Sequence, residues 1–183
     1  QRPPRPRGAD RARHGDGPAF SQVIRRHQDA ISRFLSHQVQ GAADASDIAQ
    51  ETFVALFRSL ERYDTSRPFL AWAFVIARNK ARDHHRRRVA LRWVGVDDQY
   101  DRMASPAPDP EREVADREAL SQVETLIRAL PEGLRTPLLL SAVEGLSHGE
   151  VGVVMGLSSQ AVEVRGYRAR KALKAELLRG GCD

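Results

Sequence analysis

Apolar residues recur at three- and four-residue steps through most of this chain, and no stretch alternates long enough to predict a strand. Phe20, Val23, Ile24, His27, Ile31, Phe34, Leu35 and Val39 predict a first amphipathic helix, broken by Gly41. Ile48, Ala49, Thr52, Phe53, Leu56, Phe57 and Leu60 form the apolar face of a second, with Asp44 or Ser46 as its expected cap. The run 63–68 reads as a loop. Pro68 is placed in the first turn of a third helix that runs to about Leu91. Residues 18–92 are thus expected to form a small helical domain.

Pro106, Pro108 and Pro110 mark an extended linker, taken as 93–117. A second helical domain, 118–180, follows. Its first stripe is Val114, Leu120, Val123, Ile127 and Leu130, ended by Pro131. The next is Leu134, Leu138, Leu139, Leu140 and Val143, with Pro137 limiting where regular helix begins. Ser147 and Glu150 have capping-box spacing. Gly156 suits a left-handed turn, and Ser158 or Ser159 caps a last helix reaching about Leu178. Helix, Gly-bearing turn and basic helix, in that order, describe a helix-turn-helix. The predicted architecture is all-α: two small helical domains joined by an acidic, Pro-containing linker, the second domain carrying the helix-turn-helix.

Charge sharpens this picture. The 183 residues carry a net charge of +5, but the sign is segregated. From Arg78 to Arg92, seven cations face one carboxylate, Asp83. From Val94 to Glu124, nine acids face only Arg102, Arg112 and Arg117. A basic helix just downstream of an aromatic run is suited to holding phosphates beside rings on which bases stack, with Phe69 and Phe74 read as core and Trp72 as either core or stacking ring. Pro, Gly and Arg predict a disordered basic tail over residues 1–17. The lone Cys182 excludes an intrachain disulfide and fits a reducing cytoplasm. No apolar run reaches the roughly 20 residues of a membrane-spanning helix.

Each motif also has a plainer structural reading. Arg86, Arg87 and Arg88 suit a solvated helix C-terminus as well as DNA. Asp47, Gln50 and Glu51 share one helix face, which a protein partner or bulk water equally suits. His84 and His85 point apart on a helix and have no Cys or third His nearby, so no metal site, cofactor site or catalytic group is expected.

Taken together, the motifs resemble the extracytoplasmic-function (ECF) RNA polymerase sigma factors of the sigma-70 superfamily over about residues 20–178. Asp47-Ile48-Ala49-Gln50-Glu51-Thr52-Phe53 looks like that family's Asp-x-x-Gln-Glu-x-Phe stretch. Trp72 with Ala77-Arg78-Asn79 looks like its promoter-melting helix. Leu130-Pro131, Glu144-Gly145-Leu146-Ser147, Gly156-Leu157-Ser158 and Arg168-Ala169-Arg170-Lys171 look like its C-terminal domain. The resemblance implies a cytoplasmic, non-enzymatic initiation factor whose partners are core RNA polymerase, through its beta-prime clamp and beta subunits, promoter DNA and an anti-sigma protein.

It further implies that residues 18–92 are sigma region 2. Asp47, Gln50, Glu51, Phe53 and Leu56 would dock on polymerase. Trp72, Arg78, Asn79, Lys80, Arg82, Arg86, Arg87 and Arg88 would engage and open the minus-ten element. Region 4 would read the minus-thirty-five element with Ser158, Ser159, Gln160, Glu163, Arg165, Tyr167, Arg168, Arg170 and Lys171. The acidic linker would thread toward the polymerase active-site cleft and RNA exit channel.

Glu163 stands where many members carry Lys, so the promoter sequence does not transfer. Gly166 takes a usually apolar position and costs roughly 1 kcal/mol of helix stability. Two rival readings stay open at this point. One is a free-standing dimeric helix-turn-helix repressor or activator, which has no need of the aromatic-to-basic helix. The other is a nuclease, for which no carboxylate cluster with metal geometry is evident.

Overall fold

A computed structural model describes residues 17–93 and 114–180. Among these residues every regular element is helical. In chain order they are α1 (Gly17–Gln38), α2 (Ala42–Ser59), a 3-10 turn (Leu60–Arg62), α3 (Phe69–Trp93), α4 (Val114–Ala129), α5 (Glu132–Leu138), α6 (His148–Met155) and α7 (Ser159–Gly180). The expected tail, apart from Gly17 at the start of α1, and most of the expected linker lie outside the described residues. At the linker's edges, Trp93 closes α3 and 114–117 open α4, so the helices encroach on the span assigned to it.

The apolar stripes explain the N-terminal bundle. Ile31, Phe34 and Leu35 of α1, Ile48 and Leu56 of α2, and Phe74 and Ala77 of α3 are each at most 4% exposed. Phe34 meets Phe74 edge-to-face at 5.1 Å, an arrangement worth about 0.5–1.5 kcal/mol beyond its buried area. Ala73 and Ala77, both fully buried, let α3 lie close against its neighbours. The loop before α3 is held by buried Tyr63, whose hydroxyl donates to the Arg67 carbonyl at 2.6 Å.

Three local expectations change. Neither Asp44 nor Ser46 caps α2: its N-cap is Gly41, with φ +88° and no side-chain bond. Gly41 both breaks α1 and opens the next helix, so no capping side chain is available. Pro68 precedes α3, and its carbonyl accepts from Trp72 N at 3.3 Å. Pro137 lies inside α5 rather than before a helix. Its missing N–H removes an intrahelical bond. Just beyond it the ladder widens into a π turn over Leu139–Val143, closed by Glu144 N donating to Leu139 O at 3.0 Å.

The two domains touch. Leu139, Leu140, Leu146, Val151, Val154 and Met155 join the same apolar cluster as the cores of α1, α2 and α3. Polar bonds border that seam. Arg33 forks onto both carboxylate oxygens of Glu144 at 2.8 and 2.9 Å. Gln38 Nε2 donates to the buried Thr136 hydroxyl at 3.0 Å. A second cluster, Leu130, Leu138 and Ala169, fastens α7 to α5.

Candidate polymerase and nucleic-acid interfaces

The helical period places Asp47, Gln50 and Glu51 on the outer side of α2. Asp47 and Gln50 are exposed, and Glu51 is half-buried. Glu51 Oε2 accepts from Lys80 Nζ of α3 at 3.0 Å. With Val54, Arg58 and Lys80 they line an open concavity of about 860 Å³. Phe53 is half-buried against the core. Leu56, expected on the docking face, is fully buried. It faces the bundle because it continues the Ile48 and Thr52 stripe. The apolar contribution to the outer face comes instead from Val54 and Phe57, 49% and 59% exposed. Phe57 leans edge-on against Phe20 at 5.2 Å. Their spacing from Asp47 and Gln50 carried this signal, but Phe57 also fits the inward stripe, and its aromatic character drew it there.

The basic half of α3 divides by direction. Asn79, Arg82, Arg86 and Arg87 are exposed. Arg86 pairs with Asp83 one turn back. Lys80 and Arg88 turn toward α2: Lys80 to Glu51, and Arg88 with Nη1 3.5 Å from Asp44 Oδ2. His84 Nε2 lies 3.4 Å from the same carboxylate. Arg78 turns the other way, toward the C-terminal domain. Its Nε donates to Glu132 Oε1 at 2.7 Å, and Nη1 to the Val154 carbonyl at 3.4 Å. Trp72 is half-buried, with its ring centroid 4.7 Å from that of Tyr63 and 5.5 Å from that of Phe69. It is therefore a core-braced ring with one side outward.

The helix-turn-helix has the expected local chemistry. Ser147 Oγ accepts from Glu150 N, while the Glu150 carboxylate accepts from Ser147 N at 2.8 Å. Gly156 adopts φ 69°, ψ 40°. Leu157 N donates to Gly152 O at 2.9 Å. Of the two candidates, Ser158 is the cap of α7, accepting from Ala161 N at 3.2 Å. On α7, Val162, Gly166 and Ala169 face inward. Ser158, Ser159, Gln160, Glu163, Tyr167, Arg168, Arg170 and Lys171 face outward. Arg165 is half-buried beside Gly133 of α5. Val164, 44% exposed on the same helix, was not among the expected readers. It offers the apolar contact that a thymine methyl accepts.

Burial lowers three basic side chains, two of them near the domain seam. It pushes the His37 imidazole below the ordinary histidine value, an effect opposed by Glu124 and Glu144 and helped by Arg128 and Arg135. Burial also lowers Arg135, whose Nη1 donates to the Arg128 carbonyl at 2.7 Å. His27, stacked on Phe69 at 5.5 Å, is lowered by burial and by Arg26. Among the described residues, no group of His, Cys, Asp and Glu is arranged to hold a metal ion. No described helix is long and apolar enough to cross a membrane.

Comparison with known proteins converges on one family. The Sigma-70 region 2 family matches residues 23–90, and the Sigma-70 region 4 family matches 120–173. The RNA polymerase sigma factor CnrH of Cupriavidus metallidurans is 38% identical, over 94% of this chain and 96% of its own. The ECF RNA polymerase sigma factor SigE of Mycolicibacterium smegmatis is 32% identical, over 86% of this chain and 61% of its own. The solved structure of CnrH in complex with the cytosolic domain of CnrY superposes with a TM-score of 0.72 at 33% identity, covering 95% of this chain and 96% of that one. With region 2 on the bundle that carries the polar outer face of α2 and the basic helix, and region 4 on the helix-turn-helix, the chain belongs to the ECF RNA polymerase sigma factors, the initiation factors that direct core polymerase to promoters.

Proposed function

We propose that the two domains divide promoter recognition between them. The α2 face bearing Asp47, Gln50, Glu51, Val54 and Phe57 docks on the beta-prime clamp. Asn79, Arg82, Arg86 and Arg87 of α3, with Trp72 behind them, hold and open the minus-ten element. The outward face of α7 reads the minus-thirty-five element. The observation carrying this reading is the adjacency of the first two surfaces, tied by the Lys80–Glu51 bridge. A factor that places melted DNA against polymerase needs both on one rigid body. The chain itself supplies no catalysis, since nucleotidyl transfer belongs to polymerase, and it acts in the cytoplasm under an anti-sigma protein.

Run-off transcription with purified core polymerase on a genomic fragment library tests the whole reading. Discrete transcripts that depend on the added chain support it. A chain that binds duplex DNA but neither captures core polymerase nor yields transcripts is the dimeric repressor instead.

A further inference from the structure

Both tryptophans of the chain lie on α3, and they share one register. Trp72, Asn79, Arg86 and Trp93 follow one another at intervals of seven residues. A straight helix drifts about 20° per heptad, so the four fall within about 60° of its circumference. Arg82 and Val89 flank the same stripe, one turn before and one turn after Arg86. Trp72 is half-buried, Asn79, Arg82 and Arg86 are exposed, Val89 is 39% exposed and Trp93 is 88% exposed. The first indole is braced from behind by Tyr63 and Phe69. The second has no aromatic partner among the described residues. The bundle therefore gains no packing from Trp93, although its register matches that of the ring and amide proposed to open the promoter.

We propose that Trp93 is a second stacking ring for the melted strand, seating a base at the far end of α3 from Trp72. The two rings stand 21 residues apart, roughly 31 Å along the helix axis. A stacked strand, at 3.4 Å per nucleotide, covers that distance with about nine nucleotides. Trp93 thus serves nucleotides beyond those held at Trp72 and Asn79. Charge and continuity name single-stranded DNA as the occupant. Arg82, Arg86 and Arg87, all exposed between the rings, supply the positive track that a phosphate backbone follows. Rings interleaved with cations hold single strands with little regard to sequence, because every base has a face to stack. In duplex DNA those faces are covered by neighbouring bases, so Trp93 engages only after the strands part. The inference rests on the assignment of α3 to the minus-ten element and extends that surface to the last residue of the helix.

The test uses holoenzyme assembled from the full chain and core polymerase, with core polymerase alone as the baseline. Fluorescence anisotropy reads affinity for a dye-labelled single-stranded DNA of mixed sequence. A second probe is an abasic strand of the same length, which keeps the phosphates and lacks the bases. Trp93→Ala should weaken binding of the base-bearing strand by about tenfold, as loss of one stacked base does, and leave the abasic strand unchanged. Trp93→Tyr should restore most of the affinity, whereas Trp93→Leu, apolar but without a flat face, should not. Trp93 closes α3 and is almost fully open to solvent, so these variants remove no buried packing and should bind core polymerase equally well. Unchanged affinity of Trp93→Ala for the base-bearing strand overturns the inference. So does an equal fall on both strands, or full affinity in Trp93→Leu. A loss of polymerase affinity in Trp93→Ala, with strand binding unmoved, makes the ring a protein contact instead. Replacing Arg86 and Arg87 together with Ala is the control and should weaken both strands alike. If it weakens neither, the minus-ten reading of α3 fails and this inference with it. If it weakens both while Trp93→Ala changes nothing, the second ring alone is lost.

Discussion

Lys80 Nζ lies 3.0 Å from Glu51 Oε2, joining the helix proposed to dock on polymerase to the helix proposed to open the promoter. Both side chains are partly exposed, 30% and 42%, so the bridge itself contributes little stability, about 0–1 kcal/mol. Its value is positional: it fixes Glu51 on the docking face. Replacing Gln50 and Glu51 together with Ala is expected to weaken core-polymerase binding by about tenfold or more, as loss of paired polar anchors does, with helical content unchanged. Direct titration of labelled core polymerase checks this, and equal affinity would remove α2 as the docking helix.

Phe57→Ser separates the apolar part of that face from its charges. The ring is 59% exposed and touches Phe20 at its edge, so folding should lose under about 1 kcal/mol. Polymerase affinity should fall as much as in the Gln50/Glu51 variant. A loss of thermal stability without a loss of affinity would return Phe57 to the bundle's own packing.

Asn79 is exposed two turns beyond Trp72, so the two share one side of α3. Capture of an unstacked base is worth about 1–3 kcal/mol, comparable to the few kcal/mol of unstacking. Asn79→Ala should therefore leave closed complexes intact and reduce open complex, read as lost permanganate reactivity of thymines near the start site. A premelted bubble should restore much of the activity. Equal loss on duplex and premelted templates rules out the role.

Two glycines of the helix-turn-helix should respond in opposite directions. A β-carbon at Gly152 would stand 2.6 Å from the Leu157 carbonyl oxygen, which is backbone and cannot step aside. Gly152→Ala should cost about 1–3 kcal/mol and weaken promoter binding by shifting the turn. At Gly166 the nearest atom to such a carbon is Arg170 Nη1 at 3.5 Å, an ordinary contact at the tip of a flexible side chain. Gly166→Ala should stabilise by about 0.5–1 kcal/mol. Urea unfolding of the two variants reads both signs.

Acidification should weaken the fold through its half-buried imidazoles. Burial holds His27 and His37 below 6.5 in the folded chain. In the unfolded chain they take up protons near 6.5, so below that value the unfolded state binds more protons and stability falls with pH. The stability is fully present above 6.5 and is lost toward the lower folded values. His27→Phe, which keeps the stacking on Phe69, should flatten the fall in melting temperature between about pH 7 and pH 5.5. An unchanged slope would assign the pH dependence to other groups.

Helix number, order and the helix-turn-helix were legible because period, punctuation and caps agreed: Gly41, Ser147 with Glu150, Gly156 and Ser158 each sit where a break or cap was read. The misreadings have a common cause. Leu56 and Phe57 are adjacent apolar residues on a helix, and periodicity assigns a stripe to within about one position, so which of them points outward is decided by tertiary packing. Asp44 resembles a cap, yet it is used by His84 and Arg88 from 40 or more residues away in sequence. Pro137 resembles a helix boundary, but it lies inside α5, and the ladder widens into a π turn only after it. The partition of the arginines was equally out of reach. Nothing in the run 78–92 distinguishes Arg78, turned to Glu132, from Arg82, turned to solvent, because the distinguishing carboxylate arrives from another domain.

Helix α3 runs unbroken for 25 residues, roughly 37 Å at the usual rise. Its first half is gripped by the bundle at Phe69, Ala73, Phe74 and Ala77, whereas beyond Ala81 no described side chain is buried. Mechanically it is a beam clamped at one end, with Asp44 acting as a stay on Arg88 and His84 partway along. A small tilt at the clamp is multiplied at the free end. Enlarging Ala73 or Ala77 by one methylene would therefore redirect the arginines at 86 and 87 more than it would disturb the bundle, and the aim of the basic surface is set by the smallest side chains in the core.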